Sequence, residues 1–272
     1  MKRTRSTAAT LAVSAVAYAV AVFLLLPTIL IVPMSFGPDQ YLRFPPNGLT
    51  LHWYEAYFKD ADWIGATLFS VKIAVLTAIA ATLIGTLVSV ALVRGRLPLK
   101  RVFELLVVGP VIVPNIALAI AMFLVFDRLR LTGTTFGFVA AHTALAMPFV
   151  VFTILASLYR FDSNLERAAL SCGANPLQAF VLVTLPQIAP GIVSAALFAF
   201  IISFDEPVVS FFISNLDNRS LPRKMFEDID YNISPTLASV ATMLTALTVV
   251  ALLLGYALKR VLERRAGTGA KA

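Results

Sequence analysis

Hydrophobic residues along this chain are concentrated in six long segments that are separated by shorter polar stretches. The segments cover approximately residues 11–33, 66–93, 102–126, 136–158, 187–204 and 236–258. A helix needs about 17–25 predominantly apolar residues to cross the hydrocarbon core of a bilayer, and each segment meets that length. The pattern therefore predicts an all-α membrane protein with six transmembrane helices.

The first apolar segment follows a short basic N-terminus, an arrangement that is also typical of secretory signal peptides. The apolar run of a signal peptide is about 7–15 residues long. Here the run continues from about residue 8 to residue 32. We therefore expect an uncleaved first transmembrane helix, followed by a long outer connection over residues 34–65.

The overall composition agrees with this membrane interpretation. Of the 272 residues, 59% are hydrophobic and 14% are charged, whereas soluble domains average about 45–50% and about 25%. The net charge of +7 matches basic loops that face anionic lipid, so we expect a lipid bilayer and no nucleic acid as partner. The single cysteine excludes an internal disulfide, and two distant histidines argue against a histidine metal cluster.

Lysine and arginine are distributed unequally between alternate connections, and this distribution orients the helices. With the N-terminus inside, the cytoplasmic side collects fourteen of them: Lys2, Arg3, Arg5, Arg94, Arg96, Lys100, Arg101, Arg160, Arg167, Lys259, Arg260, Arg264, Arg265 and Lys271. The outer side collects seven: Arg43, Lys59, Arg128, Arg130, Arg219, Arg223 and Lys224. Lys72, near a helix end, is assigned to neither side. Because cytoplasmic loops carry the excess of positive residues, both termini are predicted to be cytoplasmic.

A stretch with several helix-start and helix-end signals follows the fourth apolar segment on the predicted cytoplasmic side. Ser163 and Glu166 have the spacing of a capping box at a helix start. Gly173 stands where a left-handed cap ends a helix, and Asn175 with Pro176 is typical of a new helix start. Small and apolar residues fall on one helix face: Leu165, Ala168, Ala169 and Cys172. We therefore expect two short helices that meet at a glycine corner.

Two features of the apolar segments predict how the helices pack and bend. Small residues recur at four-residue spacing in the second segment, which lets helix backbones approach closely in a membrane: Ala81, Gly85 and Ser89. Prolines interrupt the third and fourth segments at Pro110, Pro114 and Pro148. We expect them to bend their helices, either as static kinks, which are commoner, or as hinges.

Asp205 and Glu206 lie together at the end of the fifth segment, directly before Pro207, which is expected to end that helix. Carboxylates near a membrane interior are costly, and they often mark the pathway of a cationic substrate. A solvated helix terminus is an equally good interpretation. Trp53 and Tyr54, in the first outer connection, are candidates for membrane-interface anchoring, which we favour, or for a cation–π surface.

Sequence motifs of enzymes are missing from the chain. No G-x-x-x-x-G-K-[ST] phosphate loop occurs, and no glycine is followed by lysine. No H-E-x-x-H, G-x-S-x-G or zinc-like Cys/His spacing occurs either. We therefore predict no catalytic residue, no metal ligand and no cofactor for this chain.

The corner resembles the cytoplasmic E-A-A loop of permease subunits in binding-protein-dependent ABC importers. The family pattern is E-A-A, three residues, Gly, nine residues, Ile, one residue and Leu-Pro. In this chain Ala168–Ala169, Gly173, Val183 and Leu185–Pro186 keep every spacing. Val183 replaces the isoleucine of the pattern.

One departure from the family pattern concerns charge. Arg167 stands where the pattern has glutamate, and Glu166 lies one position earlier. A shift of one residue turns a side chain by about 100° around a helix. The role of the family glutamate is therefore not carried over to either residue.

The resemblance extends over about residues 40–260 and is most similar to permeases of the spermidine/putrescine type. Four stretches carry this similarity: residues 44–54, 203–206, 221–226 and 233–236. The run 109–115 also resembles the third core helix of the family. Permeases for other organic amines and amino-acid-like solutes share these features, so they remain an alternative.

The resemblance implies the type I importer (MetI-like) permease fold in a bacterial inner membrane. It implies a second permease subunit, two cytoplasmic ATPases that bind ATP and magnesium, and a periplasmic substrate-binding protein. It further implies that the corner docks on an ATPase through Leu165, Glu166, Arg167, Ala168, Ala169, Gly173, Ala174, Asn175, Pro176, Leu185 and Pro186. An ion-coupled secondary transporter without an ATPase is the alternative from another class.

The expected domain organisation follows from these boundaries. Residues 1–60 contain the first helix and the first outer loop, and residues 61–260 form the permease core with its cytoplasmic loop 160–186. The last residues, 261–272, have no apolar surface to bury, so we predict a disordered cytoplasmic tail.

Overall fold

A computed structural model describes residues 7–95, 98–215, 218–231, 234–250 and 253. Every regular element in these ranges is helical, which confirms the predicted all-α class. The helices are α1 Thr7–Met34, α2 His52–Lys59, α3 Ala61–Arg94, α4 Lys100–Ile112, α5 Asn115–Arg128, α6 Thr135–Arg160, α7 Ser163–Ser171, α8 Pro176–Ala179, α9 Leu185–Phe204, α10 Val208–Ile213, α11 Leu221–Tyr231 and α12 Pro235–Val250. A π-helical turn, Phe180–Thr184, joins α8 to α9.

Four helical stretches are long and apolar enough to cross a membrane: Thr10–Met34, Ala61–Arg94, Thr135–Arg160 and Pro176–Phe204. The pair α4 and α5 makes a fifth span if the two helices are counted together. The sixth predicted segment, 236–258, begins as the shorter apolar helix α12. Most of its last eight residues, the basic N-terminus and the tail 261–272 lie outside the described residues. The multi-pass architecture is confirmed, whereas the count of six helices and the side of the termini are not.

The third predicted span is not one continuous helix, because α4 and α5 meet at 110°. Val113 between them is extended, with φ −76° and ψ 134°, and Pro114 is the N-cap of α5. The ring of a proline disfavours the helical conformation of the preceding residue. The proline at 114 therefore breaks the helix, whereas Pro110 is accommodated inside α4.

The chain forms two compact units. One combines residues 1–61 with 227–272, and the other spans residues 62–226. In the first unit, large apolar side chains of α1 such as Phe23 and Leu24 are exposed, as expected for a helix whose surroundings are lipid.

The larger unit is built on α6, which packs along α9 and against α3. Its central cluster consists of Ala81, Ala146, Val150, Ile154, Leu158, Ile188, Ala195 and Ala199. The predicted small-residue face of α3 is confirmed, since Ala81, Gly85 and Ser89 are buried. A Cβ atom added to Gly85 would overlap the side chain of Val150. Glycine at that position therefore sets the distance between α3 and α6.

Candidate functional site

The predicted corner on the cytoplasmic side exists, but its first helix begins differently from the prediction. Asp162, rather than Ser163, is the N-cap of α7, and its Oδ1 accepts a hydrogen bond of 2.9 Å from the Asn164 amide. The capping box predicted for Ser163 and Glu166 is therefore wrong. Both Asp and Ser are good N-caps, and the extended backbone of Asp162 places the helix start one residue earlier.

The second half of the corner matches the prediction. Gly173 has φ +94°, and the amide of Ala174 donates to the carbonyl of Ala169 at 3.1 Å, as in a left-handed helix cap. Asn175 caps α8 and exchanges hydrogen bonds with Gln178 in a capping box. The N-x-x-Q spacing of Asn175 and Gln178 is the sequence signal for this capping box, which was not among the predictions.

The outer face of the corner is open in the isolated subunit. Leu165 is 46% exposed, and α7 buries none of its nine residues. Arg167 and Cys172 are exposed as well, whereas Ala169 is half-buried. The face that the sequence predicted for docking is therefore accessible to another protein.

Glu166 points away from the exposed Leu165, toward the membrane-spanning helices. Its Oε1 accepts a hydrogen bond of 2.8 Å from the Arg94 Nη1 at the end of α3, and its Oε2 forms an ion pair with the Arg94 Nη2 at 2.6 Å. The exposed fraction of the Glu166 side chain is 19%. Glu166 was predicted to contact the ATPase, and the structure places its charge against a residue of its own chain.

The second candidate region is the break between α9 and α10. Helix α9 ends at Phe204, and Pro207 is the N-cap of α10, which confirms that the chain leaves the helix before the proline. Glu206 is only 8% exposed, and its Oε1 accepts a hydrogen bond of 2.9 Å from the Val209 amide. Asp205 is exposed. The exposure of Asp205 favours the solvated-terminus interpretation for that residue, and the burial of Glu206 favours the pathway interpretation, which stays a prediction.

Glu206 lines a cavity of about 440 Å³. The bend between α4 and α5 forms the wall on one side, and α6 and α9 form the rest. The bend contributes Pro110, Val111, Ile112, Val113, Pro114 and Asn115, and the other two helices contribute Leu145, Phe149 and Ile202. The lining is largely apolar, and Glu206 is its charged residue. Such a cavity combines a negative group with surface suited to hydrocarbon chains.

His142 holds the broken helix from the side. Its Nδ1 is 2.8 Å from the hydroxyl of Ser203 in α9, and its Nε2 is 3.2 Å from the hydroxyl of Ser210 in α10. All three side chains are buried. One ring therefore connects the helices on both sides of Glu206. No local sequence pattern predicts this role, because residues 142 and 203 are 61 positions apart.

Trp53 and Tyr54 belong to the smaller unit, where their polar atoms bind the loop that follows α1. The Trp53 Nε1 donates to the Gly37 carbonyl at 2.8 Å, and the Tyr54 hydroxyl lies 2.7 Å from that of Ser35. The ring of Tyr54 also packs on Phe36 at 5.1 Å between centroids. These contacts give both residues a structural role, and a pathway role stays a prediction.

Among the residues that the structure describes, no three His, Cys, Asp or Glu side chains are grouped closely enough to hold a metal ion. The polar groups of the two candidate regions include carboxylates, hydroxyls, amides, guanidinium groups and the imidazole of His142. They can bind ions and hydrogen-bonding groups, or hold helices in position.

Comparison with known proteins decides the family. Residues 81–268 match the family described as binding-protein-dependent transport system inner membrane component. This chain belongs to that family. The match covers more than half of the chain and includes the corner, the break between α9 and α10 and the cavity beside Glu206.

Similar proteins include permeases with named solutes. The spermidine/putrescine transport system permease protein PotC of Haemophilus influenzae is 30% identical over 246 residues, which are 89% of this chain and 94% of that protein. The putrescine transport system permease protein PotI of Escherichia coli K12 is 29% identical over 256 residues, 89% of each chain. The trehalose transport system permease protein SugB of Mycobacterium tuberculosis is 28% identical over 191 residues, 68% of each.

A solved structure supports the fold. The chain resembles part of a bacterial ABC transporter involved in the import of the acidic polysaccharide alginate, with a TM-score of 0.71 and 18% identity. The similarity covers 94% of this chain and 98% of that chain. The protein is thus a multi-pass transport permease with the helical fold of ABC transporter subunits, as the sequence predicted.

Proposed function

We propose that this chain is a permease subunit of an ATP-driven importer in a bacterial inner membrane, and that the imported solutes are polyamines. The observation that carries the choice of solute is the buried carboxylate of Glu206 in an apolar cavity at a helix break. Permeases with spermidine or putrescine in their names are similar over most of the chain.

The cavity has the chemistry that a polyamine requires. An aliphatic polyamine consists of ammonium groups joined by methylene chains. Leu145, Phe149 and Ile202 offer apolar surface for the chain, and Glu206 offers a charge for an ammonium group. The last carbonyl groups of α4 lie at the bend and lack the donors of a continued helix. Broken helices whose carbonyl ends contact cations are common in transporters.

We further propose a role in solute passage for Asp205 and, separately, for Trp53 and Tyr54 in the smaller unit. Asp205 is exposed beside Glu206, so it is suited to attract a cation before the cation reaches the cavity. The two aromatic residues offer ring faces on which an amine can pack. Their hydrogen bonds to residues 35–37 leave those faces in a fixed orientation.

Coupling to ATP requires partners, because the chain has no phosphate-binding loop. We infer a second permease subunit, two cytoplasmic ATPases that bind ATP and magnesium, and a periplasmic binding protein that delivers the solute. The corner from Leu165 to Pro186 is the proposed contact with an ATPase. Its support is the exposed apolar face of α7 between two capped ends.

Reconstitution of the complete transporter in vesicles tests this function. The vesicles contain both permeases and both ATPases, with the binding protein and labelled putrescine or spermidine outside. We expect uptake that requires ATP and survives collapse of the proton gradient. Uptake that needs the gradient and not ATP would support the secondary transporter, and ATP-driven uptake of other solutes alone would refute the polyamine assignment.

A further inference from the structure

The guanidinium of Arg94 lies where α3, the end of α6, the corner and the start of α9 converge. Arg94 is the last residue of α3, so its positive charge also lies at the negative end of that helix. Its Nη1 donates to the Oε1 of Glu166 in α7, and its Nη2 forms an ion pair with the Oε2. Such paired, charge-assisted hydrogen bonds fix orientation as well as distance.

Thr184 forms hydrogen bonds with both members of this ion pair. Its hydroxyl donates to the Glu166 Oε2 at 3.0 Å and accepts from the Arg94 Nη2 at 3.2 Å. Thr184 is fully buried, and it is the last residue of the π-helical turn that leads into α9. Single π-helical turns inside α-helices are frequent at functional sites.

Two aromatic rings enclose the guanidinium of Arg94. The ring centre of Phe161, at the C-terminal end of α6, is 6.0 Å away, and that of Phe180, in the π-helical turn, is 5.6 Å away. Both distances are within the range of cation–π interactions. The rings restrict the access of water to the ion pair, and the exposed side-chain fractions of Arg94 and Glu166 are 30% and 19%.

Helix α7 depends on these contacts because it buries no side chain of its own. Its other side-chain hydrogen bonds are local, such as that of the Ser171 hydroxyl to the Arg167 carbonyl. Glu166 is the side chain that bonds α7 to α3 and to the start of α9. In addition to the backbone links to α6 and α9, a force on α7 therefore reaches α3 and the start of α9 through this carboxylate.

We propose that Arg94, Glu166 and Thr184 form a clamp that transmits movement of the corner to α3 and α9. This inference rests on the proposed function, because the movement is the one that an ATPase would impose. The three residues are positioning residues: they touch neither solute nor nucleotide. The clamp also explains why the two neighbouring charged side chains point in different directions. Glu166 faces the helix bundle, whereas Arg167 is exposed and accessible to the proposed ATPase.

The ratio of solute imported to ATP hydrolysed tests the clamp, measured on the same vesicles. We expect Arg94→Ala and Glu166→Ala to retain ATP hydrolysis and to lower the ratio by about fivefold or more. Thr184→Val, which removes only the hydroxyl, should lower it less. The charge exchange Arg94→Glu with Glu166→Arg should recover part of the ratio, and Arg101→Ala at the exposed start of α4 should leave it unchanged.

An unchanged ratio in both alanine variants, or no recovery by the charge exchange, would overturn the clamp. Recovery of the intact complex after purification distinguishes loss of coupling from failure to fold. A merely stabilising ion pair would lower the yield of complex and leave the ratio as it is, and that result would also count against the clamp.

Spin labels give a measurement that does not depend on transport. One label is attached to Cys172, the single cysteine of the chain, and the other to Gly95→Cys beside the clamp. We expect a narrow distance distribution that broadens in Glu166→Ala. Absence of polyamine uptake by the parent transporter would refute the proposed function, and it would not decide about the clamp. Equally narrow distance distributions in the parent and in Glu166→Ala would overturn the clamp in either case.

Discussion

The helix break at Gly173 and the break at Asp205–Pro207 are both interruptions of a helix, but they place different groups in different surroundings. Gly173 reverses the chain through a left-handed residue, and the space around its Cα is open. The second break surrounds a buried carboxylate and faces a cavity. The first leaves an apolar surface accessible to another protein, whereas the second withdraws a charged group from water.

Each break is held by one polar side chain from a neighbouring uninterrupted helix. Arg94 of α3 holds the corner through Glu166, and His142 of α6 holds the second break through Ser203 and Ser210. Interrupted helices lose part of their own backbone hydrogen bonds. The comparison indicates that unbroken helices supply the rigidity that broken ones lack, so that functional groups can be placed at the breaks.

The largest expected effect is at the docking face of the corner. Ala169→Glu places a charge where an ATPase would cover the surface, and a charge without a partner is costly to bury. We expect uptake to fall by on the order of tenfold or more, the equivalent of about 1.4 kcal/mol. Vesicle uptake and co-purification of the ATPase measure it.

Ser171→Glu is the matched control, because position 171 lies about 200° further around the same helix. This variant should transport normally. If Ala169→Glu also transports normally with the ATPase bound, the docking face is assigned wrongly.

The next effect concerns the charge in the cavity. Glu206→Gln keeps the shape and the acceptor for the Val209 amide but removes the charge. At saturating loaded binding protein, we expect the uptake rate of a diamine to fall by on the order of tenfold. Asp205→Asn, at the exposed neighbouring position, should have a smaller effect. Equal uptake by the Glu206 variant and the parent would remove Glu206 from the pathway.

The next effect concerns the stability of the second break rather than the rate of uptake. His142→Ala leaves the buried hydroxyls of Ser203 and Ser210 without their shared partner. We expect a loss of about 1–3 kcal/mol in the free energy of unfolding, observed as a lower melting temperature of the purified complex. His52→Ala, at the exposed second histidine, serves as control. An unchanged melting temperature for His142→Ala would show that the ring does not hold the break.

The last effect concerns the stability of the frame that both breaks share. Gly85→Ala places a methyl group against Val150 and should cost about 1–3 kcal/mol of stability, toward the lower end if α3 shifts slightly. Val150→Ala in the same chain provides space for that methyl group. We expect the double variant to be more stable than the sum of the two single changes predicts, and additive effects would contradict the close contact of α3 with α6.

Local features of both regions were predictable from the sequence, and long-range contacts were not. Gly173 and Asn175–Pro176 were identified correctly because helix caps depend on residues a few positions apart. The start of α7 was misplaced by one residue, since Asp162 and Ser163 are both suitable caps. The partners Arg94 and Glu166 are 72 positions apart, and no local pattern joins them.

The helix count shows a related limit. Hydropathy identifies apolar length, so it predicted one span over 102–126, where the structure has two helices at 110°. Pro114 indicated a bend, but the size of a bend depends on packing against α6 and α10. For the same reason the cavity beside Glu206, which this bend encloses, had no sequence signal beyond the two adjacent carboxylates.

The most direct test of the central claim uses Cys172, because it is the single cysteine of the chain and is exposed on the corner. A membrane-impermeant maleimide should label it in inside-out vesicles stripped of the ATPase. Rebinding of the ATPase should then protect it. Labelling from the outside of intact spheroplasts would place the corner on the wrong side of the membrane and contradict the account.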